Sequence, residues 1–101
     1  MIIHQHPYNE LFKVVRKMYP KLSVLITYPD GMKELGRAEY YKNGKYVIAL
    51  NGYEPIEKQF DILIHELAHV VVTVKGGHGK KWLVVYNKIG NEYTKYMKRG
   101  H

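Results

Sequence analysis

DILIHELAHVVVTVKGGHGKKW, Asp61 to Trp82, is the stretch on which the reading of this 101-residue chain turns. Apolar residues recur before and within it at helical spacing: Ile56, Phe60, Leu63, Leu67, Val70, Val71 and Val74. They predict a helix from Pro55 to Val74, with Pro55 and Glu57 suited to its first turn and Gly76 or Gly77 to its stop. Inside it stands His65-Glu66-x-x-His69. Helical residues four apart lie about 40° apart round the axis, so the two imidazoles point the same way, one turn apart. Such a pair can share one tetrahedral metal ion. Glu66 lies about 100° further round, beside the metal, where it can take a proton from a water that the metal activates. Zinc chemistry asks for a third protein ligand and one open position. His78, beyond the Gly76-Gly77 break, is the candidate for that ligand. The flanks Ile62, Leu63, Ile64, Leu67, Val70 and Val71 are apolar, so three polar side chains are set into a helix that reads as buried. Left unpartnered there, they would cost on the order of several kcal/mol. The plain alternative is a helix with two satisfied core histidines.

Composition narrows the class. One hundred and one residues make one domain, 1–101, and a 46% hydrophobic share suffices for one small core. The absence of cysteine excludes disulfides, cysteine zinc ribbons and thiol catalysis. No apolar run approaches membrane-spanning length, and MIIHQHPYNE lacks the basic and apolar regions of a signal peptide. The expectation is therefore a soluble, cytoplasmic protein without membrane contact. Sixteen Lys and Arg against nine Asp and Glu give a formal charge of +7. That balance favours an acidic partner, nucleic acid being the commonest inside a cell, although a solvated surface alone would account for it.

The remaining chain reads as α+β. His4 and His6 form an H-x-H in what reads as a frayed end, with Pro7 near a first helical turn. Leu11, Phe12, Val15, Met18 and Tyr19 recur at three and four, predicting an amphipathic helix from Tyr8 to Tyr19 that Pro20 stops. KLSVLITY, Lys21 to Tyr28, is β-branched and apolar, a strand. Asn43-Gly44 between two β-rich runs predicts a two-residue hairpin turn joining strands Gly36–Tyr41 and Lys45–Leu50. Together these make a small, antiparallel-rich, three-stranded sheet. A last helix begins after Gly79, with Trp82, Val85, Tyr86, Ile89, Tyr93, Tyr96 and Met97 on its apolar stripe and Gly90 as a point of kinking.

Spacing sorts the zinc-protease variants. A metzincin needs Gly three residues after the second His and a third His six after it, where this chain has Val72 and Lys75. A Glu ligand downstream would have to be Glu92, the one Glu after the motif, and it sits in a basic helix that reads as exposed. What remains is HELAH followed by His78-Gly79-x-x-Trp82, preceded by Leu35-Gly36-Arg37-Ala38 and by Val47-Ile48-Ala49-Leu50-Asn51. This constellation, over residues 35 to 90, resembles the SprT-like metalloprotease domain, in a minimal form without the C-terminal zinc ribbon that many members carry. The resemblance implies one Zn2+ per chain on His65, His69 and His78, Glu66 as general base, and hydrolysis of peptide bonds in protein substrates, some of them DNA-associated. The rival reading is an inactive zinc-binding domain serving as a nucleic-acid or protein interaction module. A substrate strand is expected to add to a sheet edge, for which Lys45–Leu50 is the candidate. Lys80, Lys81, Lys88, Lys95, Lys98 and Arg99 are the candidate nucleic-acid contacts.

Overall fold

The predicted elements form within a residue or two of their expected ends. The computed structural model describes residues 8–41, 44–74 and 81–99. Among them the order is α1 (Asn9–Met18), β1 (Ser23–Thr27), β2 (Gly36–Tyr41), β3 (Lys45–Leu50), α2 (Ile56–Val74) and α3 (Lys81–Lys98). The architecture is α+β, a three-stranded sheet with an N-terminal and a C-terminal helix around α2. His4, His6, Pro7, Asn43, Gly76 and Gly77 lie outside the described residues.

The sheet differs from expectation in two ways. Its order is β1-β3-β2, so Lys45–Leu50 is the central strand and not an edge. It pairs with β1 in parallel, Leu25 opposite Val47, and with β2 antiparallel, Ala38 opposite Ile48. The sheet is therefore mixed, one parallel and one antiparallel pair, rather than antiparallel-rich. The cause lies in the end of β3. Ile48, Ala49 and Leu50 are buried on both faces of the pleat, and a strand apolar on both faces needs a neighbour on either side. The hairpin strands end where expected, Tyr41 opposite Lys45. Gly44, just before β3, has φ 74, a left-handed conformation that glycine adopts without strain.

The second helix, α2, is the hub. Ile62, Leu63, Leu67, Ala68, Val70, Val71 and Val72 are all buried, because the sheet covers one side and α3 the other. β-branched Val70 to Val72 are poor local helix formers, and their burial overrides that preference. Tyr8, Leu11 and Val15 of the α1 region join Leu63, Leu67 and Val70 of α2, Ile48 and Leu50 of β3 and Ile89 of α3 in one core. Two polar ties brace it. The buried Tyr8 hydroxyl donates to Gln59 Oε1, and Tyr96 of α3 donates to Glu10 of α1 at 2.6 Å. Burial pushes the Tyr8 phenol well above its usual range. α3 runs through Gly90 unbroken. A glycine there costs about 1 kcal/mol, which the Ile89 anchor on the core outweighs.

Candidate active site

Position round α2 decides which side chains meet. At 100° per residue, Ile62, Glu66 and Thr73 fall within about 40° of one another, with His69 and then His65 next round the helix. The first row faces β2. The second faces Trp82 at the start of α3, whose indole lies 4.5 Å from the His65 ring and 4.9 Å from that of His69, centroid to centroid. The helical prediction for the two histidines is met: their Nε2 atoms are 3.1 Å apart. Two nitrogens at about 2.05 Å from one tetrahedral zinc ion stand about 3.3 Å apart. The pair as folded fits that ion to within a few tenths of an ångström. Burial first, and then the neighbouring His65, hold the His69 imidazole below the usual range, with Glu66 opposing. A lowered value favours the neutral ring, the form able to bind a metal ion.

Glu66 is placed by a glycine. An ideal Cβ built on Gly36 would stand 2.5 Å from Ile62 Cγ2 and 3.6 Å from Glu66 Cγ. Gly36 has no positive φ, so it is the close approach of helix and strand, and not backbone conformation, that requires glycine here. The missing side chain lets α2 lie against the beginning of β2, with the Glu66 side chain against that edge strand. Asn51 holds the segment leading into β2. Its Nδ2 donates to the carbonyls of Met32 and Glu34, at 3.1 and 3.3 Å, and its backbone N–H donates to that of Leu35 at 3.1 Å. The outer face of β2 is braced by its own polar ladder, Arg37 Nε donating to Glu39 at 2.6 Å and Tyr41 donating to the same carboxylate.

Three contributors escaped the sequence reading. Trp82 was legible as a stripe residue and as the aromatic that follows His78-Gly79, but not as the cover that its indole makes over both imidazoles. Tyr86, one turn on, donates its hydroxyl to Asp61 of α2, one turn before His65, with its ring 6.4 Å from that of His65. The Asp61 carboxylate pushes the Tyr86 phenol up. A local signal existed, since Asp61, His65 and His69 are spaced four by four, but the pairing with α3 is long-range and leaves no trace in either segment. Gly36 was visible only through its place in Leu35-Gly36-Arg37-Ala38.

His78 and Lys80 lie outside the described residues. Among the described residues no three His, Cys, Asp or Glu side chains converge as a metal site. Glu92 follows Trp82 by ten residues along α3, about 15 Å of helix axis, and faces Lys95 at 3.8 Å. Lys81, Lys88, Lys95, Lys98 and Arg99 are exposed. No helix of the described residues is long and apolar enough to cross a membrane. A family model described as the IrrE N-terminal-like domain of the M78 peptidases matches residues 20–96. It is a metallopeptidase family, as the motif implied. No curated protein and no solved structure matches the chain.

Proposed function

The chain belongs to the IrrE N-terminal-like peptidase family, and on that premise we propose that it is a zinc-dependent metallopeptidase that hydrolyses peptide bonds of protein substrates. The observation that carries this reading is a histidine pair whose Nε2 atoms are 3.1 Å apart, with Glu66 beside it on the same helix and against the edge strand β2. His65 and His69 would hold the ion, with His78 as the third ligand that the SprT-like resemblance implies. Bound there, zinc would act as a Lewis acid on the scissile carbonyl and lower the pKa of water.

The chain's own residues supply the rest. The Glu66 carboxylate accepts a proton from the attacking water and returns it to the departing amine. β2 ends the sheet among the described residues, so a substrate segment can add to it as a further strand and pass over Glu66. β2 thus takes the role expected of Lys45–Leu50, which lies inside the sheet. Trp82 shields one side of the histidine pair from water and limits the ways the two rings can turn. Asn51 and Gly36 fix the strand against the helix, and orientation of this kind is where positioned catalytic groups gain much of their effect.

A DNA-associated substrate is part of the same proposal. Lys81, Lys88 and Lys95 are seven residues apart on α3, a spacing that drifts only about 20° per step, so they share one exposed face. Such a stripe suits a phosphate backbone and carries no base-reading pattern.

Glu66→Gln tests the mechanism. Metal affinity should stay within a few fold while cleavage falls by orders of magnitude, because the base is lost and the ligands are not. Retained activity would sink the assignment of Glu66. A wild-type chain that binds zinc and cleaves nothing would favour the rival role as an inactive zinc-binding interaction module.

A further inference from the structure

We propose that the cavity one helical turn beyond His69 is a specificity pocket, which takes a large apolar side chain of the substrate two to four residues from the scissile bond. The proposal rests on the peptidase reading of Glu66 and adds to it a substrate preference.

The cavity measures about 960 Å³ and is walled by Met18, Leu22, Tyr40, Tyr46, Val71 and Thr73. Among the described residues lining it, Lys21 alone is charged. None of His65, Glu66 and His69 lines it, so its link to the site has to come from the alignment of β2 with α2. Gly36, Ala38 and Tyr40 are the residues of β2 on the face that meets α2, since alternate residues share a face and Gly36 meets Ile62. Two residues of strand advance about 6.6 Å and one helical residue about 1.5 Å, so each such step along β2 matches roughly 4.4 residues of α2. Gly36 lies level with Ile62 to Glu66, which puts Ala38 level with His69 and Tyr40 level with Thr73. Tyr40 and Thr73 do line the same cavity, as this register requires. A strand added along β2 therefore passes Glu66 and His69 and then the mouth of the cavity.

The residues at that mouth have features of a binding wall. Tyr40 is 64% exposed although it stands on the helix-facing side of the sheet, its ring edge-on to Tyr46 at 5.2 Å. Thr73 is exposed on the last turn of α2, and its hydroxyl donates to the His69 carbonyl at 2.9 Å, so that polar group is already engaged. Buried Val71 forms part of the wall. An apolar substrate side chain entering here would cover the Tyr40 ring and leave water, a gain that a small or charged side chain cannot make. Antiparallel addition, the stronger pairing per residue, runs the substrate from Tyr40 towards Gly36. The pocket then reads a residue on the N-terminal side of the scissile bond.

The test uses a series of blocked, alanine-rich decapeptides, each with Phe at one position. Cleavage by the zinc-loaded wild type and binding to the Glu66→Gln chain are measured in parallel. Phe two to four residues before the cleaved bond should raise kcat/KM at least tenfold over the all-alanine peptide, and should tighten binding to Glu66→Gln by a similar factor. Tyr40→Glu and Thr73→Glu, both at exposed positions and checked for native melting, should each bring the Phe-to-Ala ratio to within twofold. Cleavage without a Phe preference, or a preference that both variants leave intact, overturns the pocket and leaves the peptidase reading standing. Phe-dependent binding lost in both variants but without any cleavage supports the pocket and defeats the peptidase. Neither binding nor cleavage defeats both.

Discussion

Replacing Gly36 by Ala is the sharpest test of how this fold positions its base. The added Cβ would stand 2.5 Å from Ile62 Cγ2, against an optimal carbon–carbon separation of about 3.5–4.0 Å. Helix and strand must therefore part by about 1 Å or more, or Ile62 must leave its rotamer. Overpacking of this kind costs about 1–3 kcal/mol. For a chain of this size each kcal/mol shifts the melting temperature by roughly 4–8 °C, so a loss of about 4–24 °C is expected in a thermal melt. Activity should suffer more than stability, because a shift of about 1 Å in a catalytic group can cost roughly a hundredfold, and Glu66 is attached to the displaced helix. Ile62→Ala removes the obstructing methyl and by itself should cost about 2–5 kcal/mol. Combined with Gly36→Ala, it should cost less than the sum of the single changes by most of the overpacking energy, about 1–3 kcal/mol in a double-mutant cycle. Additive effects, or a Gly36→Ala chain that melts and cleaves like the wild type, would refute the close approach of α2 and β2 as the device that places Glu66.

The other predictions address separate links. Metal content of the purified chain should fall sharply in His78→Ala and remain within a few fold in Glu92→Gln; the reverse pattern would make Glu92 the third ligand and would require α3 to lie differently. The wild type should bind DNA with little sequence preference and with affinity falling steeply with salt, and changing Lys95, Lys98 and Arg99 to Gln should flatten the log–log slope by up to about 2.7 if each meets one phosphate. No retardation of DNA at low salt would make the +7 charge a matter of solubility. Tyr8→Phe should destabilise by about 1–3 kcal/mol, read by urea unfolding, because it strips a donor from the buried amide of Gln59.

Local rules account for what was legible. Apolar spacing alone places α2 between Pro55 and Val74, and alternating β-rich runs bound β2 and β3 to the residue. The HExxH geometry needs only a helix, so the approach of His65 to His69 follows once the helix is granted. Strand order is another matter. β1 pairs with β3 and not with β2, the next strand in sequence, and the signal for that lies in the two-sided burial of Ile48 to Leu50, which a strand of five or six residues shares with many edge strands. Gly36 illustrates the same limit. Its glycine could serve a turn, a bulge or a close approach, and only the Ile62 methyl opposite it selects among them. Trp82 and Tyr86 sit on a helical stripe that core packing would explain equally well, and their partners on α2 precede them by more than ten residues.

The third ligand shows where sequence and structure bear on each other most directly. A tetrahedral site on the His65 and His69 nitrogens leaves two positions, and one must stay open for substrate. On the β2 side stands Glu66, to which the proposed mechanism gives the part of base and not of ligand. From the α3 side Trp82 lies over both rings, so a ligand carried on α3 itself would have to come from the turn that holds Trp82, and Lys81, Leu83, Val84 and Val85 have no suitable donor. Glu92 would have to cross about 15 Å along the helix axis to make a bond of about 2.1 Å. Asp61 is committed to the Tyr86 hydroxyl one turn the other way. Each acidic or imidazole side chain near the pair among the described residues is thus too distant or already engaged. A third ligand would therefore come from outside the described residues, where His78, the ligand that the SprT-like resemblance implies, stands nearest to the pair in sequence.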